Sequence, residues 1–186
     1  EASTVHALVL DTGALFIADT SVSDDPPAPA IAETAVRAAE IVLRFGLTPK
    51  VALISHSNFG SRDTPSARKM REALAILRRA APDLEVDGEM QADTALSQAV
   101  RDRLLPGSTL KAAANLLIMP GLDTANTAYN LVKAVTGAVT IGPILIGPRL
   151  PAHIVNTTVT SRGIVNMSAV ACVAAIDAGR PAASAA

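Results

Sequence analysis

Apolar positions along this 186-residue chain fall into two kinds of stretch: short unbroken runs, and longer segments in which they recur every third or fourth residue. The first kind reads as strand, the second as helix with one buried face. Val5–Leu10 and Ala14–Ala18 are two runs split by Asp11-Thr12-Gly13, a hairpin signal in which glycine supplies positive φ. Asp24-Asp25-Pro26-Pro27-Ala28-Pro29 interrupts regular structure, because proline fixes φ and brings no N–H. Ile31, Ala35, Ala38, Val42 and Phe45 then mark a helix over 29–45, with Gly46 as its terminator. Val51–Ile54 lacks alternation, as expected of a strand buried on both faces. After the loop Ser55–Asp63, Thr64 and Pro65 predict a helix start, a hydroxyl cap followed by an N1 proline. Met70, Leu74 and Leu77 form that helix's inner stripe.

Leu84–Val86 predicts a short strand entering a loop at Asp87-Gly88-Glu89, and a helix follows over 94–104, stopped by Pro106-Gly107. Asn115–Met119 is another buried strand, and Pro120–Asp123 opens a helix over 124–135. Val139–Ile141 and Ile144–Ile146 flank Gly142-Pro143 as a bent strand or a hairpin arm. His153–Asn156 reads as a last short strand, and Ile164–Ala178 as a helix of small residues. No internal repeat is present. Strands alternating with helices define an α/β domain with a largely parallel sheet, to which the opening hairpin would add antiparallel strands at one edge. Residues 1–180 are expected to form one lobe, with 181–186 a disordered tail.

Composition narrows the picture. Apolar residues make up 49%, yet the aromatics are Phe16, Phe45, Phe59 and Tyr129 alone, so Ala, Val, Leu and Ile must build the core. Sixteen basic residues against 17 acidic ones give a net charge of −1, a field that attracts neither nucleic acid nor anionic membrane. Cys172, the single cysteine, excludes an internal disulfide; its apolar neighbours predict a buried position, and a reducing cytoplasm fits. No apolar run reaches the roughly 18 residues of a membrane span, and no signal peptide is visible.

In such sheets ligands sit beyond the carboxyl ends of the strands. Three loops qualify: Ser55–Arg62, Pro120–Asn126 and Asn156–Arg162. Each places hydroxyl or amide side chains and a glycine near a helix N-terminus, where free N–H groups favour an anion. Ordinary turn and cap chemistry accounts for any one of them equally well. Neither a P-loop nor a dinucleotide fingerprint is present. Asp87 and Glu89 are either a general acid/base pair or a hydrogen-bonded turn around Gly88. His6, His56 and His153 lack metal-ligand spacing, and Ser55 and Ser57 flank His56 on a local geometry unsuited to a hydrolase triad. Arg68, Lys69, Arg71, Arg78 and Arg79 read as a solvated helix face, with Glu72 pairing to Arg68.

Taken in order, Ile54–Ser61, Asp87–Asp93, Asn115–Pro120 running into Asn126 and Tyr129, Gly142–Leu145 and Ile164–Asn166 resemble the phosphate acetyl/butyryltransferase family over nearly the whole chain. His56–Ser61 followed by Pro65–Arg71 is similar to one subgroup, the acyltransferase-like C-terminal domain of the large bacterial malic enzymes. The resemblance implies a three-layer α/β/α lobe of isocitrate/isopropylmalate-dehydrogenase type, the second of two lobes plus a returning C-terminal helix, which binds acyl-CoA and dimerises. It implies a first lobe and a malic-enzyme domain lying upstream, outside this chain. In active members a Ser-Arg-Gly triplet precedes Ile-Val-Asn by five residues, and a catalytic aspartate precedes it directly. Here the triplet's places hold Asn156, Thr157 and Thr158, and the aspartate's place holds Gly163; a Ser161-Arg162-Gly163 triplet abuts Ile164 out of register. The expectation is a catalytically silent module in a cytoplasmic malic enzyme that converts malate to pyruvate with NAD(P) and Mg or Mn held elsewhere. Acetyl-CoA would be its effector and a homo-oligomer its assembly, with no cofactor, nucleic acid or membrane bound to this segment. Ser57, Asn58, Ser61 and Arg62 are the expected ligand residues of one wall, Asn126 and Tyr129 of another, and Thr157, Thr158 and Arg162 of the last loop. The alternatives are an active phosphate acyltransferase working through Arg162, and a purely structural oligomerisation domain.

Overall fold

The opening hairpin sits inside the sheet rather than at its edge. The computed structural model describes residues 1–157 and 159–179, so Thr158 and the tail expected at 181–186 lie outside the described residues. Strands β1 (Ser3–Leu10) and β2 (Gly13–Ala18) pair antiparallel. β2 then pairs in parallel with β5 (Leu116–Ile118), and β1 pairs antiparallel with β6 (Val139–Ile146). β3 (Val51–Ile54) lies between β5 and β4 (Val86–Met90), parallel to both. The order is β4-β3-β5-β2-β1-β6, in which β1 alone runs against the rest. The start of β1 therefore meets the ends of the other strands.

Alternation along each strand divides the core in two. Val5 and Ala7, Phe16 and Ala18, Val51 and Leu53, Leu116 and Ile118 face one layer, with helices α1 (Ala28–Arg44) and α2 (Pro65–Ala80). Leu8, Leu15 and Ile17, Ala52 and Ile54, and Leu117 face the other, with Ala95, Leu110, Ala125 and Tyr129. Ala95 belongs to α3 (Ala92–Leu96), and Ala125 and Tyr129 to α5 (Leu122–Thr136). The architecture is three-layer α/β/α with a mostly parallel mixed sheet. Strands buried on both faces need a helical layer on each side, which is why the hairpin is internal. Gly46, at φ 75, follows α1 as its sequence position suggested.

Several boundaries depart from expectation. Asp87-Gly88-Glu89 is part of β4, because both carboxylates find partners from distant segments and are buried. The helix expected over 94–104 breaks at Ser97, whose N–H ends α3 on Asp93 O and whose hydroxyl caps Val100 N–H to start α4 (Gln98–Leu104). In α4, Arg101 is fully buried and donates to four backbone carbonyls, of Thr94, Ala95, Leu110 and Ala112. Residues 153–156 form no strand; Ile154 stays 73% exposed. Val139–Ile146 is one strand, irregular in its pairing between Val5 and Ala7 of β1.

α6 (Ser161–Gly179) docks on the first layer through Met167 and Val170, and Arg44 on α1 pairs with Asp177 at 3.2 Å. Cys172 is exposed on it, not buried, because one face of the helix alone meets the lobe. By length and composition α6 reaches the range of a membrane span, with a mean hydropathy of 1.2, against the expectation that no segment would.

Candidate functional site at the strand ends

Two polar clusters occupy the carboxyl end of the sheet. The first follows β3 and β4. The turn Ser57–Arg62 is closed by its own groups: Asn58 N–H donates to Ser61 Oγ (3.0 Å), Ser61 N–H to Asn58 O (3.0 Å) and Arg62 N–H to Ser57 Oγ (3.0 Å). Ser57 N–H donates to Ser55 Oγ at 3.2 Å. The remaining amides turn to β4: Phe59 N–H donates to Glu89 O (2.7 Å) and Gly60 N–H to Glu89 Oε1 (2.9 Å). Asn58 and Gln91 exchange two bonds, of 2.8 and 3.0 Å. Every N–H from Ser57 to Arg62 is thus taken, so the loop has no free amides for an anion, contrary to the strand-end expectation. Ser57 is buried and Asn58 has both side-chain ends engaged, which leaves the Arg62 guanidinium as the loop's uncommitted cation among the described residues. Thr64 caps α2 through Ala67 N–H at 3.3 Å, as its sequence position suggested.

The basic face of α2 is not simply solvated. Arg71 reaches Asp63 (2.8 Å), buried Glu89 (3.1 Å) and Arg62 O (3.2 Å). Lys69 donates to Pro120 O at 2.7 Å and pairs with Asp25, tying the β5–α5 loop to α2. Arg68 pairs with Asp63 at 2.8 Å rather than with Glu72. Arg78 meets Asp87 at 2.9 Å; with Ser108 Oγ (2.7 Å), Thr109 N–H (3.0 Å) and Gly88 N–H (2.9 Å) also donating, Asp87 is a structural acceptor and not one half of an acid/base pair.

The second cluster joins β1, β2 and α5, and most of it escaped the sequence reading. Asp19 directly follows β2. It accepts from Thr4 N–H (2.9 Å), Thr4 Oγ1 (2.5 Å), Ser21 N–H (3.2 Å) and Ser23 N–H (3.0 Å). Thr20 Oγ1 lies 2.7 Å from His6 Nδ1 and 3.3 Å from Thr4 Oγ1. The His6 ring tilts over Tyr129 with centroids 4.0 Å apart, and Lys133 Nζ sits 5.8 Å from the Tyr129 ring centre. Burial first, then the Lys133 charge, lower the His6 pKa to about 4, with Asp19 opposing. His6 is therefore neutral near pH 7. Asn126 Nδ2 donates to Thr20 O at 3.3 Å, and the first turn of α5 with Thr20 and Ser21 lines a cavity of about 370 Å³. Gly121 at the head of α5 has no room for a Cβ, which would come within 2.7 Å of Asp24 O. The missed signal was available: Ala18-Asp19-Thr20 ends a buried strand, the same rule that singled out the loops after β3 and β5.

Of the expected residues, Ser57, Asn58, Ser61 and Arg62 thus share one cluster, while Asn126 and Tyr129 share the other, Tyr129 as a core ring only 8% exposed. Thr157 and Arg162 lie beyond β6, both exposed, and Thr158 is outside the described residues. Arg162, the second residue of α6, lines neither this cavity nor a larger one of about 510 Å³ between α1, β6 and α6. That larger cavity has mainly apolar walls and contains none of the described site residues. His153 borders it; Leu145 N–H donates to His153 Nδ1 (3.2 Å), placing the ring proton on Nε2, and burial lowers its pKa. Among the described residues no three His, Cys, Asp or Glu side chains gather as a metal site requires.

Known proteins match this arrangement along nearly the whole chain. The profile of the phosphate acetyl/butaryl transferase family covers residues 1–172. The NAD-dependent malic enzyme of Rhizobium meliloti is 54% identical over 92% of the chain, which spans 22% of that protein. The phosphate acetyltransferase of Paracoccus denitrificans is 40% identical over 85% of the chain and 50% of its own length. A phosphotransacetylase structure from Streptococcus pyogenes superposes with a TM-score of 0.91 at 30% identity, over 95% of this chain and 54% of that one. The chain spans less than a quarter of these malic enzymes and about half of the Paracoccus transacetylase and the Streptococcus structure. With the family profile covering residues 1–172 and a solved phosphotransacetylase superposing over 95% of the chain, the chain belongs to the phosphate acetyl/butaryl transferase family.

Proposed function

We propose that this lobe is a catalytically silent, acetyl-CoA-sensing module of an NAD(P)-dependent malic enzyme. One observation carries the reading: Gly163, in the place the family's aspartate would take. It lies in the first turn of α6, where Thr160 Oγ1 accepts its N–H at 3.1 Å. A Cβ built there would meet Val159 Cγ2 at 2.8 Å, so a side chain would require Val159 to shift. The triplet's first two places hold exposed Asn156 and Thr157, neither a cation nor a base. Thiol attack on acetyl phosphate needs a base for the thiol and a positive group on the developing oxyanion. Each oxyanion donor is worth about 2.7–4 kcal/mol of barrier, so loss of both groups silences transfer. Binding depends on other groups: the free Arg62 guanidinium, and the cavity over α5 with Thr20, Ser21 and Asn126. Acetyl-CoA would regulate malate oxidation by favouring one domain arrangement, which requires different affinities for two states.

The test uses the full-length protein. Malate decarboxylation should fall saturably with acetyl-CoA, Arg62→Ala should weaken that response, and acetyl phosphate should not form from acetyl-CoA and phosphate. Acetyl phosphate turnover that disappears in Arg162→Ala would establish the acyltransferase alternative. Absence of binding at millimolar acetyl-CoA would leave only the assembly role.

A further inference from the structure

Glu89 is a carboxylate with 0% exposure at the end of β4, beneath the turn that carries Arg62. Burying a charge this deeply is costly unless several donors reach it. Two donors reach one oxygen of Glu89, while Oε2 has no hydrogen-bond partner among the described residues. Glu89 Oε1 takes Gly60 N–H at 2.9 Å and Arg71 Nη1 at 3.1 Å, while its main-chain carbonyl takes Phe59 N–H at 2.7 Å. Phe59 has φ 49 and Gly60 φ 85, two consecutive left-handed residues. For a non-glycine residue that conformation persists only where the surroundings hold it. Arg71, held by Glu89, also donates to Arg62 O at 3.2 Å. Glu89 thus acts on the backbone of Arg62 by two routes, through the Phe59-Gly60 turn and through the Arg71 guanidinium.

We infer that Glu89 is a positioning residue for anion binding: through Gly60 and Arg71 it sets where the Arg62 guanidinium stands, and thereby the affinity for a phosphate-bearing acyl-CoA. This rests on the acetyl-CoA reading of the same loop and names what builds that wall. The turn's amides are all committed internally, so Arg62 is the positive group the loop can offer, and its placement decides what the loop binds. Glu89 itself touches no ligand.

Acetyl-CoA dissociation constants from titration calorimetry on the full-length protein test this, measured well below each variant's thermal midpoint. There, a variant that is merely less stable keeps its affinity. Glu89→Gln preserves the shape and an acceptor for Gly60 N–H but loses the charge that holds Arg71; it should weaken binding about fivefold or more. Glu89→Ala, where it folds, should exceed tenfold. The decisive readout is a double-mutant cycle: in an Arg62→Ala background Glu89→Gln should have no further effect, because Glu89 acts through Arg62. Arg101→Met, which removes a buried arginine remote from the turn, should lower the midpoint and leave affinity unchanged. An affinity within twofold of wild type for Glu89→Gln, or an equal loss with and without Arg62, overturns the inference. If the wild type itself binds no acetyl-CoA, the regulatory reading falls. Hydrogen exchange over residues 57–62 then decides whether Glu89 orders the turn, and unchanged protection in Glu89→Gln rejects it.

Discussion

The loop after β3 and the loop after β6 look alike in sequence, each rich in hydroxyls and each leading into a helix, but they are built on opposite principles. In the first, every amide from Ser57 to Arg62 has an acceptor and two buried acidic or hydroxyl side chains, Glu89 and Ser57, lie underneath. In the second, Leu150 and Ile154 are 75% and 73% exposed, and the described loop bonds are short-range links such as Val159 N–H to Asn156 O at 3.2 Å. A loop held over a buried charge keeps its geometry whether or not ligand is present. The first is the wall that the proposed acetyl-CoA reading uses. In the second, the described residues Asn156, Thr157 and Arg162 are exposed.

The largest expected effect is a pH dependence, and it sets the buried cluster of β1, β2 and α5 against the loop after β6. His6, within the buried strand-end cluster, has its pKa lowered from 6.5 to about 4 by burial, then by Lys133, against Asp19. His153, in the second loop, is lowered by burial alone, and less of it is buried. For a histidine whose folded pKa is depressed, the unfolded chain binds the proton first as pH falls. Stability is therefore complete above pH 6.5, declines between 6.5 and about 4, and flattens below. The shift corresponds to about 3 kcal/mol lost across that window. Urea denaturation at stepped pH should show His6→Gln losing less stability than wild type by about that amount, with His153→Gln much closer to wild type. Parallel wild-type and His6→Gln profiles would remove His6 from the buried cluster's energetics.

The same contrast marks how far the sequence was legible. β3, α1 and the Thr64-Pro65 start of α2 follow from local pattern, since periodicity, a cap and an N1 proline act within a few residues. What failed needed partners from afar. Asp87 and Glu89 look like a polar turn until Arg78, Ser108, Gly60 and Arg71 arrive from other elements and let them enter a strand. Arg101, which nothing in the local pattern singles out, is buried because four carbonyls converge on it. Ile154 and Val155 have the pattern of a strand but no neighbouring strand to pair with. The site was legible in the same measure. Ser57, Ser61 and Arg62 were expected from their strand-end position and share one turn, whereas Asp19, Thr20 and His6 converge through pairing of β1 with β2 that brings together residues 14 or more apart.

A smaller effect addresses the rigid wall directly. Arg71→Met leaves the Glu89 carboxylate buried with only the Gly60 amide on its bonded oxygen. Removing one partner of a fully buried pair costs about 3–5 kcal/mol. Here the Arg71 side chain is 33% exposed and one hydrogen bond survives, so about 2 kcal/mol is expected. Guanidinium-chloride midpoints measure it, and restoring neutrality with Arg71→Met/Glu89→Gln should recover most of the loss. A double variant less stable than the single one would mean that packing of the arginine stem, not the charge, holds the turn.

The smallest effect belongs to the other loop and carries the most functional weight. Arg162 is exposed, has no partner among the described residues, and lies one residue before the glycine that stands for the missing aspartate. Surface changes away from caps and buried networks stay within about 0.5 kcal/mol, so Arg162→Ala should leave the unfolding midpoint unchanged. On the proposed regulatory reading it should also leave the response of malate oxidation to acetyl-CoA close to wild type, because Arg62 and the cavity over α5 lie at the other strands of the sheet. The matched Arg62→Ala should be equally stable and clearly less sensitive to acetyl-CoA. If the two arginines exchange these roles, with Arg62→Ala silent and Arg162→Ala desensitised, then the exposed loop is the recognition wall. Rigidity over a buried carboxylate would then have been selected for the fold rather than for the ligand.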